Sequence, residues 1–422
     1  MTTERCAGRA RDLAMTGPAR PTDRASVRRG NLGLVLRLLR DSGPRTRARI
    51  ATETGLPKPT ITSLVGELIE RGLVRERPVE RDGSIGRPGC AVEIDGSGIR
   101  GIGVEINVDY VSLIALDLRG EVTAERRLVL DVLGSTHETV LDATAQLIRQ
   151  TLDALHQQGI RAVGVTLAAP GVIDLPGGVV RHAPNIGWRD IPAIDALRGR
   201  LGPSAPPLRL ENDAKLGAIA EYLRASADGI HDLIYVTGET GVGGGIISGG
   251  QLLRGAAGFA GEIGHMPLDP TGHRCACGRR GCWETMVGLA ALYRLAAEPD
   301  DAVHDLTVDL EQRLAGLLGR ADAGDPRMLS ALDQVADGLG LGLALLIDVL
   351  NPRAVVLGGY FAHLGGYLID RVRSVVDERV MAPEAGGCQV VLSTLGFTAA
   401  ARGAAHLALD AVYQDPGGST GA

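Results

Sequence analysis

The 422-residue sequence has few aromatic residues and no long hydrophobic run. Phe, Trp and Tyr make up 3% of it, which argues against a reader of single-stranded nucleic acid, because such proteins stack bases on aromatic rings. The most apolar stretch, residues 339–350, contains Asp348 and is shorter than the roughly 18 uninterrupted apolar residues that cross a bilayer. The first residues, MTTERCAGRARDL, lack the apolar core of a signal peptide. We therefore expect a cytoplasmic protein without a membrane segment.

Basic residues are scarce over most of the chain and are concentrated at its N-terminal end. Residues 1–92 contain 18 Arg and Lys against 10 Asp and Glu, a net charge of +8. The remaining residues contain 26 against 40, a net charge of −14. A basic module on an acidic body indicates that one end of the protein meets a polyanion and the other does not. Because a single-strand reader is disfavoured, duplex DNA is the predicted partner.

The basic region has the pattern of a winged helix-turn-helix over residues 27–94, preceded by a flexible tail at residues 1–26. Apolar residues recur at helical spacing, and Gly55 supplies the small residue that a tight turn between two helices requires. An alternation of apolar and polar residues then predicts a hairpin, the wing. The predicted elements are a helix from Val27, a helix at residues 46–54, a helix from Pro57, and strands at residues 73–77 and 91–94.

The third helix of this region is the predicted recognition helix. Its apolar residues share one face and leave short polar side chains on another, which suits the major groove of DNA. The wing loop carries an arginine that can lie along the backbone or the minor groove. The residues that we predict to contact DNA are Lys58, Thr60, Thr62, Ser63 and Arg87. The alternative, a small helical interaction module, is disfavoured by the regional charge.

Beyond residue 95 the sequence alternates between strand, turn and helix patterns. This rhythm predicts two successive α/β lobes with a cleft between them. We assign the first lobe to residues 95–225 and the second lobe, with its metal loop, to residues 226–397. The last helix, residues 398–413, is expected to pack back on the first lobe, and residues 414–422 are expected to form a flexible tail.

Three of the six cysteines fall within eight residues of one another, shortly after a histidine. One imidazole and three thiolates form the closed tetrahedral shell that structural zinc prefers. A reducing compartment makes disulfides improbable. We therefore predict one structural Zn²⁺ per chain, bound by His265, Cys275, Cys277 and Cys282. The alternative is that these cysteines are free and surround a solvent-exposed loop.

Polar residues beside this cluster and at the end of a strand are candidates for ligand binding. Glu262 and Glu284 are not needed to complete the metal shell, and their carboxylates can accept hydrogen bonds from sugar hydroxyls. Asn212 and Asp213 follow a short predicted strand, where the ligand-binding residues of α/β folds concentrate. The alternative for this pair is an ordinary helix N-cap.

Together these motifs resemble the ROK family (repressor, open reading frame, kinase), specifically its xylose-repressor-like and N-acetylglucosamine-repressor-like transcriptional regulators. The resemblance covers roughly residues 27–410. The motifs that carry it are Glu262-Ile263-Gly264-His265, the Cys-x-Cys-Gly-x-x-Gly-Cys run with Glu284 after it, Glu211-Asn212-Asp213, Ala183-Pro184-Asn185-Ile186-Gly187-Trp188 and Leu357-Gly358-Gly359.

The resemblance implies an actin-like sugar-kinase fold for the body, with the sugar in the cleft between the lobes. It implies that His265 contacts zinc through one ring nitrogen and the sugar through the other. It also implies that Asp213 matches the general base that takes a proton from the sugar hydroxyl in the family's kinases. The implied sugar ligands are Asn185, Asn212, Asp213, Glu262, His265 and Glu284.

The sequence departs from the family's kinases in both loops that would bind phosphate. Where those kinases have an Asp-x-Gly-Gly-Thr type loop, this chain has Glu105-Ile106-Asn107-Val108-Asp109. Side chains at Asn107 and Val108 would fill the phosphate space, and Asp109 is expected to add repulsion. A second loop, rich in glycine like phosphate-binding loops, carries Glu239. We therefore predict a sensor that lost phosphoryl transfer, in which Asp213 is a vestigial base.

The sequence thus predicts a sugar-responsive transcriptional regulator, a repressor of carbohydrate uptake or catabolism genes. Its partners would be operator DNA and a monosaccharide effector, with xylose among the candidates. Two recognition helices must meet half-sites about one helical turn apart, so we expect a homodimer or homotetramer. The alternative is an ATP-dependent, glucokinase-like sugar kinase that carries a DNA-binding domain. The role of Lys215, where many relatives have Asn, is left open.

Overall fold

The computed structural model describes residues 23–78, 90–382 and 387–418. The elements of its N-terminal module are α1 Arg24–Ser42, β1 Arg45–Thr46, α2 Arg47–Thr54, α3 Lys58–Glu70, β2 Val74–Pro78 and β3 Cys90–Ile94. The strands form an antiparallel sheet in the order β1-β3-β2. This is the predicted winged helix-turn-helix, although α1 begins three residues before Val27. The predicted DNA contact Arg87 lies outside the described residues.

Local sequence signals define the helices of this module. The side chain of Asp23 accepts a hydrogen bond from the Ser26 N–H at 2.6 Å, and Thr46 caps α2 by accepting from the Arg49 N–H at 3.3 Å. Gly55 has a φ of 72° and ends α2 in the left-handed conformation. The apolar faces of the three helices meet in one core, whose fully buried members include Leu36, Ile50, Val65 and Leu68.

The first lobe contains a five-stranded sheet. Its elements are β4 Ile99–Ile106, β5 Tyr110–Leu116, β6 Val122–Val129, α4 His137–Gln157, β7 Arg161–Ala169, β8 Val172–Asp174, β9 Val179–Ala183, β10 Trp188–Ile191, α5 Ala193–Leu201, β11 Leu208–Asn212 and α6 Asp213–Ala225. The main sheet has the order β11-β7-β4-β5-β6, and β8, β9 and β10 form a small antiparallel sheet. Strands β11, β7 and β4 are parallel, whereas β5 and β6 pair antiparallel.

The second lobe repeats this plan. Its elements are β12 Leu233–Gly238, β13 Val242–Ser248, β14 Gln251–Leu252, α7 Glu284–Val287, α8 Leu289–Ala296, α9 Leu310–Asp322, α10 Pro326–Leu350, β15 Ala354–Gly359, α11 Tyr360–His363, α12 Gly365–Arg379 and β16 Gln389–Leu392. The sheet order is β14-β13-β12-β15-β16. Three parallel strands again adjoin two antiparallel ones. The duplicated plan is that of the actin-like sugar kinases.

The last helix, α13 Ala399–Gln414, packs on β4, β5 and β7 of the first lobe and on α6. Glycines allow this close approach. A Cβ atom on Gly103 of β4 would lie 1.9 Å from the carbonyl oxygen of Ala401, and a Cβ atom on Gly403 would lie 1.9 Å from that of Leu216 in α6. Helix α13 therefore touches the backbone of both the first-lobe sheet and α6.

The C-terminal end of α13 contacts the N-terminal module. The guanidinium of Arg40 lies 4.7 Å from the ring centre of Tyr413, and Arg37 donates a hydrogen bond to the Tyr413 carbonyl at 3.0 Å. Apolar residues of the module, of the first-lobe sheet and of α13 share one hydrophobic core. Its members include Leu36, Val65, Ile114, Leu116, Leu409 and Val412. The module is thus joined to the body by a continuous packed core.

Among the described residues, one helix, α10, is long and apolar enough to span a membrane by length and composition. It lies in the core of the second lobe, where 67% of its apolar window is buried. Its fully buried side chains include Met328, Val335, Leu339 and Leu343. These contacts identify α10 as a core helix.

Candidate functional site

The two lobes face each other across a cleft with about 700 Å³ of empty space, part of it open to solvent. Its walls come from the junction of β11 and α6, from the β12–β13 hairpin, and from the loops before α7. The predicted sugar ligands all line this cleft: Asn185, Asn212, Asp213, Glu262, His265 and Glu284. The structure therefore brings residues that are far apart in sequence into one concave site of the size that small ligands occupy.

Asn212 and Asp213 are positioned by the start of α6. Asn212 is also the N-cap that the alternative interpretation named, because its Oδ1 accepts from the Lys215 N–H at 3.1 Å. Its Nδ2 donates to the Gly171 carbonyl at 3.1 Å, and Asp213 Oδ1 accepts from the Ala214 N–H at 2.7 Å. Burial raises the pKa of Asp213 to about 6, against the effect of that N–H. A partly desolvated carboxylate thus faces the cleft.

Replacing Asp213 with asparagine is expected to stabilise the free protein and to weaken sugar binding. The folded-state pKa of about 6 lies above the ordinary value of 3.8, so ionised Asp213 costs the folded state up to about 3 kcal/mol above pH 6. Asparagine removes this cost but also the carboxylate acceptor. Urea unfolding should show the gain at pH 7.5, a smaller gain at pH 5, and none below about pH 4.

The matched control for this prediction is Asp228→Asn, because Asp228 is exposed after α6. It should change neither stability nor sugar affinity. An Asp213→Asn protein that is no more stable than the wild type at pH 7.5 would contradict the assignment of a desolvated carboxylate to this position. In the wild type, sugar affinity should fall as the pH drops through 6, because protonated Asp213 accepts hydrogen bonds poorly.

Glu284, the first residue of α7, is held between the cysteine cluster and the cleft. Its Oε2 accepts from the Val242 N–H at 3.2 Å and from the Asn185 amide at 3.5 Å, and its Oε1 accepts from Cys275 Sγ at 3.4 Å. A Cβ atom on Gly241 would lie 2.4 Å from Asn185 Nδ2 and 2.5 Å from Glu284 Oε2. The glycine-rich loop, which the sequence suggested only as a phosphate-type loop, therefore makes room for two cleft residues.

His265, Cys275, Cys277 and Cys282 place one possible ligand atom each within 4.8 Å of one another. Cys275 Sγ lies 3.6 Å from His265 Nδ1, and Cys277 Sγ lies 3.6 Å from Cys282 Sγ. Tetrahedral zinc with these ligands would separate neighbouring donor atoms by roughly 3.6 to 3.8 Å. The donor set therefore fits such an ion. Because Nδ1 faces Cys275, Nε2 is the ring nitrogen that remains for a ligand.

The backbone around this cluster requires glycine. The Cys275 N–H donates to the Arg279 carbonyl at 2.8 Å, and the Gly278 N–H donates to the Cys275 carbonyl at 3.0 Å. Gly278 has a φ of 89° and Gly281 a φ of 68°. A Cβ atom on Gly281 would lie 1.4 Å from the Asp269 carbonyl oxygen, so no other residue fits there. The positions of the glycines between the cysteines are thus required by the tight turns of this loop.

A buried hydrogen-bond network occupies the segment that the family resemblance matches to the first phosphate loop of the kinases. Asn107 Nδ2 donates to the carboxylate of Glu239 and to Glu105 Oε1, the latter at 3.1 Å. The Tyr110 hydroxyl donates to Glu105 Oε1 at 3.1 Å and to Glu239 Oε2 at 3.3 Å. Burial, reinforced by the Asp213 charge, raises the pKa of Glu105 to about 7, and burial with the Glu105 charge raises that of Glu239 well above its ordinary range. Side chains fill this space, as the sequence predicts for Asn107.

The expectation that Asp109 adds phosphate repulsion needs correction. Asp109 forms a buried ion pair with Arg313 of α9 and lies outside the set of residues that line the cleft. Its charge is therefore compensated by the guanidinium of Arg313. The sequence prediction considered Asp109 without this partner. Glu239, in contrast, does line the cleft.

Lys215, whose role the sequence left open, holds the loop that precedes Glu262. Its ammonium donates a hydrogen bond to the Gly258 carbonyl, while Arg254 of the same loop forms an ion pair with Glu211 at 3.0 Å. Burial lowers the pKa of Lys215, and the charges of Glu211 and Glu262 oppose that shift. Two cations thus fasten this loop beside the start of α6.

The predicted DNA contacts of α3 occupy two environments. Lys58, Thr62 and Ser63 are exposed, whereas Thr60 is half-buried. Ser63 Oγ accepts a hydrogen bond from Arg28 of α1 at 3.3 Å. The exposed face of α3 therefore combines a lysine with two small hydroxyl side chains.

Comparison with known proteins matches both parts of the chain. The ROK family matches residues 101–411 and the MarR family matches residues 33–83. The xylose repressor of Bacillus subtilis (strain 168) is 29% identical over 388 residues, 92% of this chain and 97% of that one. One similar solved structure is that of a ROK family transcriptional regulator, homolog of the E. coli MLC protein. The match covers 92% of this chain and 97% of the regulator's chain, with TM-score 0.73 and 24% identity. Another is that of a ROK family glucokinase from Streptomyces griseus in complex with glucose and AMPPNP. The match covers 73% of this chain and 98% of the glucokinase chain, with TM-score 0.62 and 30% identity.

A DNA-binding module that matches the MarR family, joined to a body that matches the ROK family and has the actin-like sugar-kinase fold, defines the class of this protein, a transcriptional regulator. The family match spans well over half of the residues, and the chain belongs to the ROK family. The resemblance and the fold class expected from the sequence are thereby confirmed.

Proposed function

We propose that this protein is a cytoplasmic repressor of carbohydrate uptake or catabolism genes. Its N-terminal module, residues 27–94, would bind operator DNA and release it when a monosaccharide occupies the cleft between residues 95–225 and 226–397. The observation that carries the proposal is the cleft, because six side chains suited to sugar hydroxyls surround one space in a chain that also has a basic helix-turn-helix module. The similarity to the B. subtilis xylose repressor makes xylose the first sugar to test.

The chemistry of the cleft supports a neutral polyhydroxylated ligand. Carboxylates of Asp213, Glu262 and Glu284 accept hydrogen bonds, and the amides of Asn185 and Asn212 both donate and accept. A structural Zn²⁺ held by His265 and the three cysteines would fix the loop that presents His265 and Glu284 to the sugar. Dense placement of acceptors around one space favours a monosaccharide, whose hydroxyls satisfy them together.

Regulation requires a path from sugar to DNA. Helix α6 begins at Asn212 and Asp213, packs on α13, and α13 contacts α1 of the DNA-binding module. A sugar that prefers one arrangement of the lobes would therefore change the placement of the module. A homodimer or homotetramer would convert this change into a changed spacing of two recognition helices on a palindrome.

The experiment that tests the proposal measures binding of the purified protein to DNA from upstream of its own gene. Fluorescence anisotropy at fixed salt would be recorded alone and with D-xylose, D-glucose and N-acetyl-D-glucosamine. We expect nanomolar binding that one of these sugars weakens at least about tenfold. Absence of specific binding under every condition would refute the repressor proposal.

One observation favours a second candidate, an ATP-dependent sugar kinase. Asp213, which the family resemblance matches to the general base of the kinases, lines the cleft, and a ROK family glucokinase is 30% identical to this chain over 73% of it. Against this, Asn107 and Glu239 line the cleft and are hydrogen-bonded to each other, and the family resemblance matches their segments to the phosphate loops of the kinases. Sugar-dependent ADP release that disappears in Asp213→Asn would establish the kinase, and its absence would exclude it.

A further inference from the structure

The hairpin turn between β4 and β5 forms an ion pair with the opposite lobe. Asp109, in the turn between β4 and β5 of the first lobe, forms an ion pair with Arg313 of α9 in the second lobe. The two side chains are only 6% and 2% exposed. Arg313 is fixed within its own lobe, because it also donates to the Tyr293 hydroxyl at 3.1 Å and to the Val308 carbonyl at 3.0 Å. This ion pair therefore joins a rigid point of one lobe to a rigid point of the other.

A second cation bridges the lobes beside it. Arg127 of β6 in the first lobe contacts Asp309 at 3.2 Å and Glu311 at 2.9 Å, both at the start of α9. Its guanidinium also stacks on Tyr110, 3.9 Å from the ring centre. Tyr110 in turn belongs to the hydrophobic core of the second lobe, although β5 is a strand of the first.

Separation of the lobes on this side would break these contacts together. A buried ion pair that loses one partner leaves an uncompensated charge in a poorly solvated place, which is strongly unfavourable. The cation–π contact of Arg127 and the apolar packing of Tyr110 would be lost in the same movement. The contacts therefore resist opening far more than exposed ion pairs would.

We propose that Asp109, Arg313 and Arg127 form an interlobe clasp that limits how far the cleft can open and so keeps both lobes within reach of the sugar. None of the three residues lines the cleft, whereas their neighbours Asn107 and Val108 do. Because the clasp lies outside the cleft lining, it acts on the sugar only through the placement of the lobes. This inference rests on the proposed sugar-binding function, and the experiment below separates the two.

The test compares Asp109→Asn and Arg127→Gln with the wild type. Small-angle X-ray scattering reports lobe separation as the radius of gyration, and calorimetry with D-xylose, D-glucose and N-acetyl-D-glucosamine reports sugar affinity. We expect the sugar-free variants to have a larger radius of gyration than the wild type. We also expect sugar to compact them more and to bind at least about fivefold more weakly, since an open population reduces the apparent affinity.

Two controls separate a clasp from a general loss of stability. Asp337→Asn removes an exposed ion pair with Arg371, at 2.6 Å, that joins two helices of the second lobe. It should change neither measurement. Arg127→Lys keeps a cation near Asp309 and should restore most of the affinity lost in Arg127→Gln. A lower melting temperature with unchanged scattering and unchanged sugar affinity in both test variants would overturn the clasp.

The clasp and the sugar proposal can fail separately. If the wild type binds none of the three sugars, the effector proposal fails and the clasp is judged by scattering of the sugar-free proteins. Expansion of Asp109→Asn or Arg127→Gln would then still support the clasp, and unchanged dimensions would refute it. If Asp109→Asn does not fold, the Arg127 pair of variants decides the question alone.

Discussion

Replacing Cys277 with serine is expected to abolish metal binding and to weaken sugar binding by at least about 100-fold, while the rest of the protein stays folded. Cys277 supplies one of four donors of the cluster, and the loop it helps to close carries both His265 and Glu284. Structural zinc contributes roughly 10 to 16 kcal/mol in small zinc-dependent domains, so a loop without another core cannot keep its shape after losing the ion. The core of the first lobe lies apart from this loop, and the core of the second lobe extends far beyond Ile263 and Trp283, its members beside the cluster.

The measurements are metal content by mass spectrometry, sugar affinity by calorimetry and secondary structure by circular dichroism. Cys388→Ser is the matched control, because Cys388 is a half-buried cysteine of the same lobe outside the cluster. It should keep one metal per chain and full sugar affinity. Sugar binding that survives in Cys277→Ser at wild-type strength would show that the cluster does not organise the cleft, and a metal-free wild type would refute the zinc assignment.

Replacing Thr62 with aspartate is expected to reduce operator affinity by about 100-fold without affecting stability or sugar binding. Thr62 is exposed on α3, and its hydroxyl donates a hydrogen bond to the Lys58 carbonyl of the same helix at 3.1 Å. A carboxylate at this position would face the phosphates and base edges of a major groove, where like charges repel and a hydroxyl contact is lost. The loss should be larger at low salt, because less screening strengthens the repulsion.

The control carries the same added charge on another surface. Ser330→Asp places it on the exposed side of α10 in the second lobe. Operator affinity should then change less than twofold, which separates local repulsion from the change in net charge. If Thr62→Asp and Ser330→Asp weaken operator binding equally, α3 is not the recognition helix.

The sequence predicted the elements and motifs whose determinants are local. The helices of the N-terminal module follow from apolar spacing and from caps such as Thr46 and Gly55, which act over a few residues. The cysteine cluster could also be predicted, because three of its four possible ligands are close in sequence and lie in one tight loop. Four of the six cleft residues were candidates from their chemistry and position, Asn185 and the sugar contact of His265 came from the family resemblance, and all six line one cleft.

What the sequence could not reveal depends on contacts between distant segments. Asp109 looked like a source of repulsion because its partner Arg313 lies 204 residues away on another lobe. The role of Lys215 could not be predicted, because it binds the Gly258 carbonyl of an irregular loop. The conformation of such a loop does not follow from a periodic sequence pattern. The role of Gly241 could not be predicted from the glycine-rich loop that contains it. A glycine that exposes its N–H group to phosphate and a glycine that makes room for neighbouring side chains give the same sequence pattern.

The shared core between the N-terminal module and the C-terminal helix has a consequence for biosynthesis. Residues such as Leu36 and Val65 are made early, but part of the core that covers them, Leu409 and Val412, is made only after both lobes. At ordinary rates of translation the interval is roughly 20 to 70 s. We expect the N-terminal module to reach its final stability only after α13 has been made, so that translation products that lack α13 hold a less stable module.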